Sequence, residues 1–315
     1  MKPVATASRW PAWWPAFSGR SAVIGIPYFW LLLFFLLPFL IVLRISVAEM
    51  ETVTFKDLFT YADGAVQLKI KLSNYIFITR DALYFKTYLN SLNYAAITTV
   101  LCLVIGYPFA YFMARAKHTL QPILLMLVML PFWTSFLLRV YAWKGLLSDG
   151  GWVSNALLAV GADRLLVASG LIAAEGNFMN TPFSLIIGMV YTYLPFMILP
   201  LYANLSKMDL RLLEAASDLG ATPLDAFWKI TVPLSKAGII AGAMLVFIPC
   251  VGEFVIPELL GGPQTLMIGR VLWDEFFSNN DWPMASSVAV VMVLLILVPL
   301  AIFNKYQAEA QEGRR

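Results

Sequence analysis

Along this chain, runs of apolar residues free of charge alternate with short charged connections. Residues 21–43, 87–114, 119–138, 177–206 and 284–304 contain no Asp, Glu, Lys or Arg, and each reaches the ~20 residues a helix needs to cross a hydrocarbon core. A sixth run, 237–252, is shorter and leads into Glu253. The pattern predicts an all-α membrane protein of six transmembrane helices, at about 22–47, 88–114, 119–143, 181–205, 237–257 and 284–303. Residues 21–304 then form the transmembrane domain, with a polar loop at 207–236, an N-terminal segment at 1–20 and a tail at 305–315. Prolines at 27, 38, 108, 131, 195, 200, 249 and 257 fall within the spans. Lipid tolerates this where neighbouring helices or side chains satisfy the freed carbonyls, which favours a packed bundle around a pathway. Proline is also simply frequent in membrane helices.

Composition agrees. The chain is 60% hydrophobic and 13% charged with a mean hydropathy of +0.75, against about one-quarter charged residues in soluble domains. Arg9 and Arg20 precede the first span, but no small-residue cleavage site follows before Arg44, so the span reads as a retained helix. Cys102 and Cys250 lie within spans and read as small apolar residues rather than a disulfide framework. The net charge of +3 is scattered over loops and gives no nucleic-acid surface.

Basic residues set the orientation. Lys2, Arg9 and Arg20, then Arg115 and Lys117, then Lys207, Arg211, Lys229 and Lys236, and finally Lys305, Arg314 and Arg315 fall in every second connection, and so on one side. Both termini are therefore expected in the cytoplasm, with 44–86, 149–176 and 258–282 outside. Trp133, Trp143, Trp152, Trp273 and Trp282 sit near the outer boundary, as interfacial aromatics do. Trp10, Trp13 and Trp14 are expected against the inner surface.

A single histidine, His118, excludes a histidine-based triad and a multi-histidine metal site. No G-x-x-x-x-G-K-[ST] motif is present, so any nucleotide bound by that route is held by another chain. Ionisable groups in spans are costly and face a cavity or a partner. Glu253 and Arg139 stand out: either Glu253 attracts a cation, or the two pair and hold helices together. Glu258, Asp274 and Glu275 follow with Trp273 beside them, and carboxylates next to an aromatic face suit an organic cation.

The segment 211–233 reads RLLEAASDLGATPLDAFWKITVP. A short helix carries Leu212, Ala216 and Leu219 on one face. Gly220 stops it, and Thr222, Pro223 and Asp225 start another. Helix signals alone describe a protruding knob or an ordinary surface loop equally well. The spacing of Glu214, Ala215, Ala216, Gly220, Ile230 and Pro233 resembles the EAA loop of ATP-binding-cassette importer permeases, EAA-x3-G-x9-I-x-LP, with Val232 in place of leucine. The runs LPFWTSFLLRVYAW (130–143), YTYLPFMILPLY (191–202), VGEFVIPELLGG (251–262) and IGRVLWDEFF (268–277) are similar to putrescine/spermidine permease subunits of that class, over about 22–303.

The resemblance implies a type I importer permease fold in a bacterial inner membrane, surrounded by lipid. It implies a second permease subunit forming a heterodimer, a dimeric ATP-binding-cassette ATPase and a periplasmic polyamine-binding protein. ATP and magnesium would be bound by the ATPase; this chain would hold no cofactor and catalyse no reaction. Glu214, Ala215, Ala216, Gly220, Ile230 and Pro233 would couple to the ATPase. Glu253, Glu258, Trp273, Asp274 and Glu275 are the candidates for the substrate path. Another solute, such as an anion or an iron chelate, stays open. A secondary transporter would leave the 214–233 spacing unexplained.

Overall fold

The computed structural model describes residues 19–312, apart from 52–53, 56–58, 63–64 and 69–70. The tryptophans at 10, 13 and 14 and the last three residues lie outside the described residues. The chain divides into two units, Met1–Lys71 and Leu72–Arg315.

In the first unit, helix α1 (Val23–Ser46) has a mean hydropathy of 2.5. Its middle is a π turn, Leu32–Leu36, where the Leu37 N–H reaches the Leu32 carbonyl. Pro38 follows at once; its ring crowds the carbonyl four residues back and it has no N–H to donate, so the helix widens by one residue rather than breaking. Two antiparallel hairpins come next, Met50–Glu51 with Thr54–Phe55 and Phe59–Ala62 with Ala65–Leu68. They are small departures from an otherwise helical chain.

The second unit contains, in order, α2 (Ala82–Arg115), α3 (Gln121–Trp133), α4 (Phe136–Leu147), α5 (Pro182–Leu205), α6 (Arg211–Asp218), α7 (Pro223–Leu234), α8 (Lys236–Val251), α9 (Val255–Leu259), α10 (Ile268–Trp273) and α11 (Trp282–Ala301). Of the described helices, α1, α2, α5 and α11 are each long and apolar enough to cross a membrane. The pairs α3 with α4 and α7 with α8 bend by 87° and 64°. The count is therefore four spans, or up to six if each bent pair is one. The first bend falls at Thr134 and Ser135, whose backbone is extended, and the Thr134 hydroxyl bonds the Pro131 carbonyl at 2.7 Å. Pro108, Pro195, Pro200 and Pro249 lie inside helices that continue past them.

Local chemistry starts the long helices. Asp81 accepts the Leu83 N–H at 2.7 Å to cap α2, and Thr181 and Ser184 form a reciprocal capping box for α5 with Pro182 at its first position.

The core is the packing of α2, α5 and α8. Lipid tails are as apolar as leucine, so such helices associate through close van der Waals contact, which small residues permit. Met197 of α5 is fully buried between Gly106 of α2 and Gly242 of α8. A β-carbon on Gly242 would stand 2.7 Å from Met197 Sδ and 3.1 Å from the Met197 carbonyl oxygen. Ala95, Cys102, Met189, Leu201, Val246 and Cys250 complete the contact, and both cysteines are free.

Gly242→Val must therefore push α8 off α5, an overpacking cost of ~1–3 kcal/mol. We expect its thermal unfolding midpoint in detergent to fall by several degrees. Gly106→Ala, which meets only side-chain atoms at 3.3 Å, should lower it far less. Equal midpoints for the two variants and the unaltered chain would disprove the tight crossing.

Candidate functional site

The segment around Glu214 folds as two helices joined by a tight turn. Helix α6 ends in a Schellman motif: Gly220 adopts φ +82°, its N–H bonds the Ser217 carbonyl at 2.9 Å, and the Ala221 N–H reaches the Ala216 carbonyl at 3.0 Å. Helix α7 starts on Thr222, whose hydroxyl accepts the Asp225 N–H at 3.2 Å. Lys229 Nζ lies 2.7 Å from the Asp225 carboxylate. Lys229, and after it the Thr222 hydroxyl, hold that carboxyl below the usual carboxylate range. This contribution to the cap is present at neutral pH and is lost only as pH falls through the lowered value. Residues 227–231 make a second π turn, again just before a proline, Pro233.

Within this knob the residues of the EAA pattern do different jobs. Glu214 and Ala215 face solvent, Ala216 is buried, and Gly220 makes the turn. Ile230 is half-buried and Pro233 exposed. The outward surface is apolar at its tips: Leu219 is 89% exposed, Leu224 70% and Trp228 62%. The knob is rooted on α2 by Phe227, whose ring meets Tyr107 and Tyr111 edge-on at 5.6 and 5.9 Å, and by a 2.8 Å bond between the Tyr107 and Ser235 hydroxyls. A cavity of about 580 Å³ opens beside α6, lined by Pro200, Asn204, Lys207, Leu212 and Gly238 among others.

The acidic candidates gather at the opposite ends of α2 and α8. Helix α8 stops at Val251, and Glu253 is buried in the break. One carboxylate oxygen accepts the N–H groups of Phe254, Val255 and Ile256 at 3.2, 3.0 and 3.4 Å; the other accepts the Tyr193 hydroxyl. The side chain thus caps α9 and ties it to α5. The Arg139 pairing is not made among the described residues. The Arg139 guanidinium lies over the rings of Phe132 and Phe136 at 5.3 and 6.0 Å, and its buried Nε and one Nη have no acceptor among the described residues.

Helix α10 packs against this break through Gly269, where a β-carbon would stand 2.5 Å from the Gly252 carbonyl oxygen. Trp273 consequently stacks on Phe254, at 4.7 Å and 11° between planes, and meets Phe277 at 4.2 Å. Arg270 bridges two acids, with Nη1 2.5 Å from Glu258 and Nε 3.7 Å from Asp274. Glu275 turns instead to Tyr84, which donates to it at 2.6 Å, and to Asn279 at 2.9 Å. Ser91 of α2 accepts the Ile268 N–H at 2.8 Å, and Asn90 donates to the Leu266 carbonyl at 3.3 Å. Glu258, Trp273 and Asp274 thus share one partly exposed neighbourhood, Glu253 lies beneath it, and Glu275 stands to one side. Among the described residues no group of three or more His, Cys, Asp or Glu is placed to hold a metal ion.

The chain is 39% identical over 274 residues, 87% of its length and 92% of the relative's, to the spermidine/putrescine transport system permease protein PotB of Escherichia coli K12. It is 39% identical over 296 residues, 94% and 96% of the two lengths, to the protein of that name in Haemophilus influenzae. A chain of a solved bacterial ABC transporter involved in import of the acidic polysaccharide alginate superposes with a TM-score of 0.60 over 93% of this chain and 99% of that one. At 17% identity this is likeness of fold. The profile of one family, the binding-protein-dependent transport system inner membrane components, matches residues 102–310. With its apolar helices and these relatives, the chain belongs to that family of multi-pass membrane permeases.

Proposed function

We propose that this chain is one of two permease subunits of an ATP-driven importer that carries polyamines, putrescine or spermidine or both, from periplasm to cytoplasm. The observation that carries the ATP coupling is the knob at 214–233. A leucine side chain gains about 1.5–3 kcal/mol on burial, so Leu219, Leu224 and Trp228, exposed together on a capped and rooted element, form a surface built to be covered. Two short helices with apolar tips enter a groove on a partner. The partner is a dimeric ATP-binding-cassette ATPase, which binds the ATP and magnesium. Loop charge supports a cytoplasmic position for the knob and both termini. The substrate class is supported by the relatives named for spermidine and putrescine.

In this reading Glu258, Trp273, Asp274 and Glu275 line the periplasmic entrance. Partly exposed carboxylates and an aromatic face attract ammonium groups without the desolvation that would trap them. Glu253 sets the geometry beneath them, since its oxygens are already occupied by four donors. Periplasmic binding protein delivers substrate, and ATPase closure moves the two permeases between outward- and inward-open states.

The direct test is ATPase activity of the reconstituted complex with binding protein supplied empty or loaded. Stimulation by putrescine- or spermidine-loaded protein is expected. Stimulation only by another solute would overturn the substrate, and none by any loaded protein would overturn the importer. Glu214→Lys, a charge reversal at the docking face, should abolish co-purification of the ATPase; normal co-purification with normal uptake would remove Glu214 from the contact. Glu253→Gln keeps an acceptor oxygen for the α9 N–H groups, so assembly should survive with weakened uptake. Glu253→Ala orphans donors worth ~1–3 kcal/mol each and should sharply lower the yield of folded chain. Equal yields from the two variants would refute the capping role.

A further inference from the structure

The acids at the entrance are of two kinds. Glu253 and Glu275 are held by fixed donors, backbone N–H groups and Tyr193 for one, Tyr84 and Asn279 for the other. Glu258 and Asp274 are held by the guanidinium of Arg270, on a long flexible stem. The side chains of Arg270, Glu258 and Asp274 are 34%, 51% and 45% exposed, so none of the three is sealed within the chain. The two contacts are unequal: 2.5 Å to Glu258 and 3.7 Å to Asp274, and the buried Arg270 Nε has no hydrogen-bond acceptor among the described residues.

We infer that Arg270 is a tethered counter-cation that makes the entrance selective for solutes carrying two or more ammonium groups. The inference rests on the polyamine reading above and goes beyond it to the residue that sets specificity. Asp274, loosely held, is the first foothold for an ammonium group, and Trp273 beside it, stacked on Phe254 and Phe277 yet 42% exposed, offers its remaining apolar surface to the alkyl chain. Glu258 is guarded. A free monoamine must displace a guanidinium whose local concentration is raised by its own tether, and it loses that competition. A diamine anchored at Asp274 brings its second ammonium to Glu258 as a tethered group too, so the two compete on equal terms. One exposed ion pair is exchanged for another, and such pairs are individually weak, so the substrate also leaves when the guanidinium returns. Without Arg270, any ammonium ion would find two uncompensated carboxylates.

The test uses the complete importer in proteoliposomes with its binding protein, following ATP-driven putrescine uptake against increasing n-butylamine. The unaltered importer should resist n-butylamine. Arg270→Gln should be inhibited at concentrations at least tenfold lower, and Arg270→Lys, which keeps the tethered charge, should restore most of the resistance. The binding protein is identical in every arm, so its own response to n-butylamine cancels. A lost structural bridge would lower uptake without moving the inhibitory concentration. An unchanged inhibitory concentration in Arg270→Gln, or a shift equally large in Arg270→Lys, overturns the inference. If Arg270→Gln does not assemble, Glu258→Gln carries the test. Putrescine uptake should fall at least fivefold with its n-butylamine sensitivity unchanged, and undiminished uptake overturns the inference. Failure of the unaltered importer to take up any polyamine would instead remove the reading on which it rests.

Discussion

Three helices cross at Met197, and both candidate regions take their positions from that crossing. Helices in lipid gain nothing from leaving it, so what holds α2, α5 and α8 is the closeness of their contact. Gly242 allows that closeness by leaving room for Met197 where a β-carbon would collide. Gly106 on the other side of Met197 is followed by Tyr107, which roots the knob through Ser235 and Phe227. Sixteen residues earlier on the same helix, about 24 Å of rise, Ser91 holds the start of α10. The knob and the acidic segment are thus fastened to two ends of one continuous helix, clamped at its crossing with α5.

Charge inside this frame follows burial. Glu253 is buried and its oxygens are met by fixed donors, as a carboxylate withdrawn from water requires. It therefore acts on the backbone: it ends the break after α8 and starts α9. Glu258 and Asp274 remain in contact with water, where an ion pair is worth little and is easily exchanged. Glu253 and Glu258, five positions apart, differ in the number and rigidity of their donors, backbone N–H groups and a tyrosine hydroxyl for one and a single guanidinium for the other. Arg139 follows a third course, spreading its charge over two aromatic faces.

What the sequence reveals depends on how local the determining interaction is. The charge-free runs mark helices because lipid leaves unsatisfied backbone no alternative. The turn at Gly220 and the cap at Thr222 are legible since every partner lies within five residues. Tyr193 and Glu253 are 60 residues apart, and nothing in either neighbourhood announces their bond. Phe227 reads as an ordinary apolar residue, and its role at the root of the knob exists only once α2 is beside it. The break at Thr134 and Ser135 is equally hidden, because the prolines at 108 and 195 also lie in apolar runs and their helices continue. Arg270 carries a signal that reading by spans overlooks: its spacing of four from Asp274 places both on one helix face.

The two π turns show how the chain reconciles proline with helix continuity. At Leu32–Leu36 and again at Phe227–Thr231, a proline two residues beyond the turn removes a donor and crowds a carbonyl. The backbone answers by adding one residue to the turn, which keeps its hydrogen bonds while loosening its grip. In the knob this falls between the outward helix tip and the bend at Ser235. Ser235 is itself tied to its own chain at Val232 and to α2 at Tyr107. The turn is thus held within itself by the Phe227 contacts with Tyr107 and Tyr111 and beyond its end by Ser235. Between the exposed Leu219, Leu224 and Trp228 and the root on α2, the backbone therefore stays hydrogen-bonded past a proline that would break a regular helix.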